Sequence, residues 1–249
     1  MALQTELRKQ GDYLFKNRSH LPIIFLITGL CVFIYGKMGG QTMINALSTE
    51  YYRFICLGIC LLGLAIRVLT VGHTPKNTSG RNTCQGQVAS QINTTGMYSL
   101  LRHPLYLGNF FMWLGVAMLT ENLWFAVSFI FLYGLYYERI MYAEEAFLVE
   151  KFGSAYLEWA GRTPAFLPNP KNYRKPKYPF CIVKVLKKEK NGLAAIFLLF
   201  WIFDLAGNSA LSKHLVIVYD FWFYAAASTC VIYLLLKVIK KKNLLRERN

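Results

Sequence analysis

Residues 96–109, Gly-Met-Tyr-Ser-Leu-Leu-Arg-His-Pro-Leu-Tyr-Leu-Gly-Asn, gather side chains that could do chemistry just ahead of an apolar run. Pro104 suits the first turn of a helix, where no amide donor is missed. Arg102, His103 and Tyr106 would then surround a helix N-terminus. Free amides, the positive end of the helix dipole and a guanidinium prepare such a place for a carboxylate or phosphate. Spacing alone does not separate this from the ordinary reading, in which Arg102 reaches for headgroups, His103 caps the helix and Tyr106 joins an aromatic belt. A second stretch, residues 137–156, carries Arg139, Glu144 and Glu145 beside a helical stripe of Phe147, Leu148, Phe152 and Tyr156. By itself it serves equally as a solvated salt-bridge face. A third, Arg162-Thr-Pro-Ala-Phe-Leu-Pro168, turns the chain at its prolines.

The elements that must position these residues are apolar. Of 249 residues 55% are hydrophobic and only 16% charged, below the roughly 25% of a soluble protein. That balance excludes a disordered chain, a coiled coil and a disulfide scaffold. Six apolar runs cover residues 21–36, 54–71, 105–119, 123–137, 193–207 and 215–239. A span needs about 20 mostly apolar residues, so several borrow flanking Tyr, Trp or Thr. Backbone amides in lipid must be satisfied locally, and nothing alternates like a barrel strand. The expectation is an all-α fold: a polytopic membrane helical bundle of about six spans, with a cytosolic helix-and-loop segment completing the active site. Only Thr120-Glu121-Asn122 separates the third and fourth runs, which predicts a tight hairpin.

The net charge of +15 sits between the runs, which points to membrane topology and away from nucleic acid. Alternate segments collect 25 of the 28 Lys and Arg, so both termini are expected in the cytosol. The first run ends in Tyr35-Gly36-Lys37 without a small-x-small cleavage site and reads as an anchor that stays. Cys31, Cys56, Cys60 and Cys230 lie inside apolar runs, where Cys packs as a small hydrophobe. The pair Cys56 and Cys60 lacks further ligands at matching spacing, so no metal is expected. Asp204 and Asp220 lie near the ends of the last two runs, where both could reach the outer interface. The expected organisation is a cytosolic segment (1–20), two spans (21–71), a catalytic core (72–170), a basic cytosolic linker (171–192) and two further spans with a basic tail (193–249). The polar loop 72–83 could cradle a lipid headgroup or be plain surface between spans, and the second is favoured because polar loops are the default there.

The ordered set Gly-x-Tyr, Arg-His-Pro-x-Tyr-x-Gly, an apolar hairpin, Glu-Glu-x-x-Leu-x-x-x-Phe-Gly-x-x-Tyr and Arg-x-Pro-x-x-Leu-Pro resembles the isoprenylcysteine carboxyl methyltransferase family. Phospholipid methyltransferases share much of it. The resemblance covers residues 90–168 and leaves out the last two runs. It implies methyl transfer from S-adenosylmethionine at the cytosolic face. It also implies cofactor contacts at Gln91, Ile92, Asn93, Tyr98, His103, Pro104, Leu105, Tyr106 and Glu144. The family's arginine, one turn before the acidic pair, does not carry over: Ile140 stands there and Arg139 is one residue off, about 100° around a helix. Arg139, with its long side chain, is still the candidate to meet the substrate.

The cofactor's carboxylate suits a helix N-terminus with His103. Tyr98 and Tyr106 offer aromatic faces to adenine or the sulfonium, and Glu144 could take ribose hydroxyls or the ammonium. An ionised acceptor needs no base at pH 7. Arg102, Arg139 and Arg162 could orient it as an anion, which favours O-methylation of a carboxylate or phosphate on a lipid or lipidated acceptor. N-methylation of an aminophospholipid is the alternative, with Glu145 or His103 taking the proton. A non-catalytic transporter or scaffold on the same fold is the competing class.

Overall fold

The computed structural model describes residues 2–18, 20–39, 49–75, 81–83 and 86–242. The fold is helical throughout, apart from one short hairpin of β1 (Arg81–Thr83) and β2 (Gly86–Val88), paired antiparallel with Arg81 opposite Val88. The helices are α1 (Leu3–Lys16), α2 (His20–Gly39), α3 (Thr49–Gly72), α4 (Met97–Leu100), α5 (Pro104–Met118), α6 (Leu123–Phe152), α7 (Ser154–Arg162), α8 (Ile182–Ser212) and α9 (Phe221–Lys241). Four of them, α2, α3, α8 and α9, are long and apolar enough to cross a membrane, and α5 is apolar but shorter. The chain is an integral membrane protein.

Each of the six apolar runs becomes a helix, with three shifts. The fourth run does not stop at the membrane rim: α6 continues for 30 residues, roughly 45 Å at 1.5 Å per residue, carrying Glu144 and Glu145 beyond its apolar half. Residues 182–192, read from sequence as part of the linker, are the first turns of α8. Residues 215–220 are not helical. Asp220 there caps α9, its Oδ1 accepting from the Phe223 amide at 3.1 Å. Residues 76–80 and Cys84, within and next to the polar loop, and tail residues 243–249 lie outside the described residues.

The α3–α5 crossing holds the bundle together, and glycine permits it. A Cβ at Gly63 would fall 2.6 Å from the Met112 amide, and one at Gly115 2.6 Å from the Cys56 carbonyl. Without a hydrophobic force between helices in lipid, such close backbone approach supplies the packing energy. Cys56 and Cys60 are fully buried at this crossing, and Cys60 Sγ donates to the Met112 carbonyl at 3.2 Å. Phe33, Leu64, Phe200 and Trp222 complete the core from α2, α3, α8 and α9.

At the end of the bundle that holds the α5–α6 turn, buried acids are paired. Lys37 meets Glu121 at 2.7 Å, and Arg53 meets Asp204 at 2.5 Å. Asn208 also donates to Asp204. Asp204 thus locks α3 to α8. Outside the core, α1 lies along the polar half of α6. A Cβ at Gly11 would meet that of Ala143 at 2.7 Å, and Arg8 forks onto Glu150 at 2.5 and 2.8 Å.

Gly115→Val should overpack the α3–α5 crossing and cost about 1–3 kcal/mol, read as a lower Tm in detergent. Gly134, with nothing within 4 Å of an added Cβ, is the control, and Gly134→Val should leave Tm unchanged. Equal effects of the two would refute the role given to the crossing.

Candidate active site

The backbone builds the site first. Between α4 and α5 the chain is extended, and its amides need partners. They find them in the proline-bounded stretch after α7: Arg102 N donates to the Pro164 carbonyl at 2.9 Å, His103 N to Ala165 at 3.1 Å, and Asn169 N back to Leu100 at 2.9 Å. The third sequence motif therefore clamps the first. Pro104 takes the first position of α5, is buried, and fixes the helix start.

Side chains then tie this start to α6. His103 occupies the N-cap position but makes no side-chain cap bond. Its Nε2 lies 2.8 Å from Glu145 Oε1 and its Nδ1 3.7 Å from Glu144 Oε2. Arg102 Nε donates to the same Glu145 oxygen at 2.9 Å, and its Nη1 donates to the Ala160 carbonyl. Tyr106 stacks on His103 with centroids 5.5 Å apart and donates its hydroxyl to Glu144 Oε2 at 2.8 Å. Neither membrane snorkelling nor an aromatic belt describes these residues.

Burial works against charge on Glu145, but the hydrogen bond and charge of His103 and the Arg102 guanidinium outweigh it and hold the carboxyl below the ordinary carboxylate range. Burial, reinforced by the Glu144 charge, pushes the Tyr98 hydroxyl up, so it stays protonated. Tyr98, Arg102, His103, Leu105, Tyr106 and Glu144 line one hollow of about 580 Å³. Gln91, Ile92 and Asn93 line a smaller one of about 110 Å³, and Tyr98 borders both. Glu145 sits behind His103 and outside this lining.

Two expected residues lie elsewhere. Ile140 is fully buried, and Arg139 points away from the hollow. Its Nε donates to Gln10 at 2.9 Å and its Nη1 to the Leu135 carbonyl, and it lines an apolar groove instead. Arg162 lines a separate hollow of about 390 Å³ with Trp159, Lys171 and Arg174.

One ion-paired triad in the hollow escapes sequence reading. Arg67 forks onto Glu189 at 2.7 and 2.9 Å and donates to Asn109 at 2.5 Å. This triad joins α3, α5 and α8. Arg67 counted in the sequence only as a topological charge. The available signal was Glu189, the single acid among the lysines of 171–192. Among the described residues, no group of three or more His, Cys, Asp or Glu could hold a metal ion.

Residues 52–155 match the phospholipid methyltransferase family model. The chain is similar to the nickel-cobalt-cadmium resistance protein NccN of Alcaligenes xylosoxydans xylosoxydans, 33% identical over 42% of this chain and 52% of that one. The cobalt-zinc-cadmium resistance protein CzcN of Cupriavidus metallidurans is 37% identical over 39% of this chain and 46% of its own. A protein-S-isoprenylcysteine O-methyltransferase of Schizosaccharomyces pombe is 29% identical over 47% of this chain and 50% of its own. The chain thus spans about half the length of the curated relatives it matches. No solved structure matches.

Glu145→Gln should cost about 2 kcal/mol at pH 7 by weakening the acceptor that Arg102 and His103 share. The carboxyl is held below its ordinary value of 4.5 in the fold, so its contribution is complete above that value and is lost as pH falls below it. The Tm gap between wild type and variant should be constant from pH 7 to 5 and close only below about pH 4.5. A gap that closes between pH 7 and 6 would contradict the assignment.

Proposed function

We propose that the chain, whose residues 52–155 match the phospholipid methyltransferase family model, is an S-adenosylmethionine-dependent methyltransferase that O-methylates an anionic group on a lipid or lipidated acceptor. One observation carries this reading. The polar hollow at the start of α5 meets an apolar groove of about 330 Å³ at Tyr137, which lines both. The groove runs along Pro22 and Phe25 of α2 and Phe129, Leu132 and Tyr136 of α6, and a hydrocarbon chain fits that chemistry.

The hollow's residues fit the donor. When bound, S-adenosylmethionine supplies an electrophilic methyl on a sulfonium. The start of α5, with His103, suits its carboxylate. Glu144, already accepting from Tyr106, suits its ammonium or ribose hydroxyls, and Tyr98 and Tyr106 offer aromatic faces to its cationic and adenine parts. Gln91, Ile92 and Asn93 extend the site past Tyr98. Leu105 borders the hollow, and Pro104 fixes the turn. Arg102 and Glu145 act as positioning residues, because both are engaged with His103 or with each other.

The chain's task is to align donor and acceptor and exclude water. A carboxylate or phosphate acceptor is ionised at pH 7 and needs no base. Arg139, at the groove, meets the acceptor's side of the site. Arg162, in its own hollow, is assigned no contact with the methyl acceptor. The split of basic residues supports six spans with both termini cytosolic, and on that reading the hollow lies at the cytosolic rim. The matched family's description favours one second reading, N-methylation of an aminophospholipid.

The detergent-solubilised protein should bind S-adenosylmethionine with about micromolar affinity, and His103→Ala or Glu144→Ala should abolish binding. Undiminished binding in both variants would dispose of the site. Arg139→Ala should raise the KM for acceptor and leave cofactor affinity unchanged; equal loss of both would move it into the cofactor shell. With labelled cofactor and membrane lipids or a prenylated cysteine as acceptor, a carboxyl methyl ester releases volatile methanol in alkali, and mass spectrometry of a base-stable product tells a methyl phosphodiester from an N-methyl amine. An N-methyl amine as the product would overturn O-methylation.

A further inference from the structure

The hollow of about 390 Å³ beside α7 has no part in methyl transfer as read above, and its charged residues all lie beyond the matched segment. Arg162, Lys171 and Arg174 line it against one carboxylate, Glu158. Among the described residues, no side-chain hydrogen bond or ion pair engages any of these four. Three cations gathered around one cavity without counter-ions repel one another, and an anion placed among them relieves that repulsion.

We propose that this hollow binds the phosphate of an anionic phospholipid, as a site separate from the one at the start of α5. The inference does not depend on the methyl-transfer reading.

The cations are held through their backbones. Asn172 Nδ2 donates to the Arg162 carbonyl at 2.6 Å. The Arg174 amide donates to Ser99 Oγ at 2.9 Å, and its carbonyl accepts from the Gly96 amide at 2.9 Å. Residues Pro170–Asn172 form a single 3-10 turn, which Asn169 caps by accepting from the Lys171 amide at 3.1 Å. These bonds set the three backbones relative to one another and leave the long side chains able to close on a ligand. Trp159 lines the same hollow, and its Nε1 is buried without a hydrogen-bond partner. Folded proteins seldom bury a donor unless a water, an ion or a ligand meets it. A phosphate oxygen is a partner of that kind.

A lipid is favoured as the source of the phosphate by where the hollow lies. The chain that borders it runs from Arg162 to Arg174, and in between it dips against the apolar bundle. There the Phe166 ring meets that of Phe110 with centroids 6.0 Å apart. Phe110 is six residues past the start of α5, about 9 Å into the apolar run. Leu167, next to Phe166, is 75% exposed at that depth, which faces it to acyl chains. Tyr173, also exposed, borders the hollow itself. Cations one step above exposed apolar side chains match the division between headgroup phosphate and hydrocarbon.

The test uses the full chain in dodecyl maltoside micelles, titrated with dioctanoyl phosphatidylglycerol, dioctanoyl phosphatidylcholine and glycerol phosphate. Phosphatidylglycerol should bind about tenfold or more tighter than either of the others. Its binding should shift the indole N–H resonance of Trp159, assigned with Trp159→Phe. The triple variant Arg162→Gln, Lys171→Gln, Arg174→Gln should lose the preference, whereas Lys240→Gln with Lys241→Gln, at the end of α9, should keep it. Lys171 is exposed, so Lys171→Gln alone leaves the fold intact and should cut the preference about threefold. No preference in wild type, or one undiminished in both the triple and the single variant, overturns the proposal. An unmoved Trp159 resonance would place the lipid elsewhere and overturn it too. Glycerol phosphate bound as tightly as the lipid would make the ligand a soluble phosphate ester and refute the lipid assignment.

Discussion

The three-way contact of Arg102, His103 and Glu145 is the joint on which the rest of the molecule hangs. It fastens the first turn of α5 to a helix that rises from the opposite end of the same hairpin, and it does so where α6 has already left the apolar layer. One carboxylate serves two cationic or polar donors, and the pair of glutamates divides the work. Glu145 faces backward and holds the turn, and Glu144 faces the hollow with Tyr106. Neighbours on a helix point about 100° apart, so two adjacent acids suffice for both a structural and a ligand-facing task.

Much of this was legible. A proline after two basic residues at the head of an apolar run describes a helix start wherever it occurs, and His103, Tyr106 and Glu144 follow from the ordered motifs. Their meeting did not follow from periodicity, because the partners are about forty residues apart and α5 and α6 could cross in several registers. The position of Arg139 was half legible. Its one-residue offset on the helix predicted a different direction, and the structure shows that direction to be α1 and the groove. Arg67 and Glu189 stayed hidden because each reads locally as ordinary: an arginine near the end of a span and an acid in a lysine-rich stretch. Only tertiary structure brings them into one ion pair.

The extent of the family match and the extent of the site differ. The matched segment supplies the turn, the hairpin and the acidic helix, and outside it α8 supplies Glu189, Lys187 and Lys188 and the turn after α1 supplies Arg18. The buried pair of Arg53 and Asp204 has a companion role at the opposite end: it holds α8 along α3, to which it runs antiparallel, so that the turns of α8 which reach the hollow arrive in register.

Tyr137 stands between a water-facing chamber and a lipid-facing one, its ring 4.9 Å from that of Tyr106 on one side and 4.1 Å from that of Tyr133 on the other. Molecules arriving by the two routes approach a common partition from different phases and need not pass one another. On the proposed methyl-transfer reading, neither reactant must depart before the other arrives, so the order of their arrival is free, and a protein embedded in its own reservoir of one reactant need only wait for the other to diffuse in from solution.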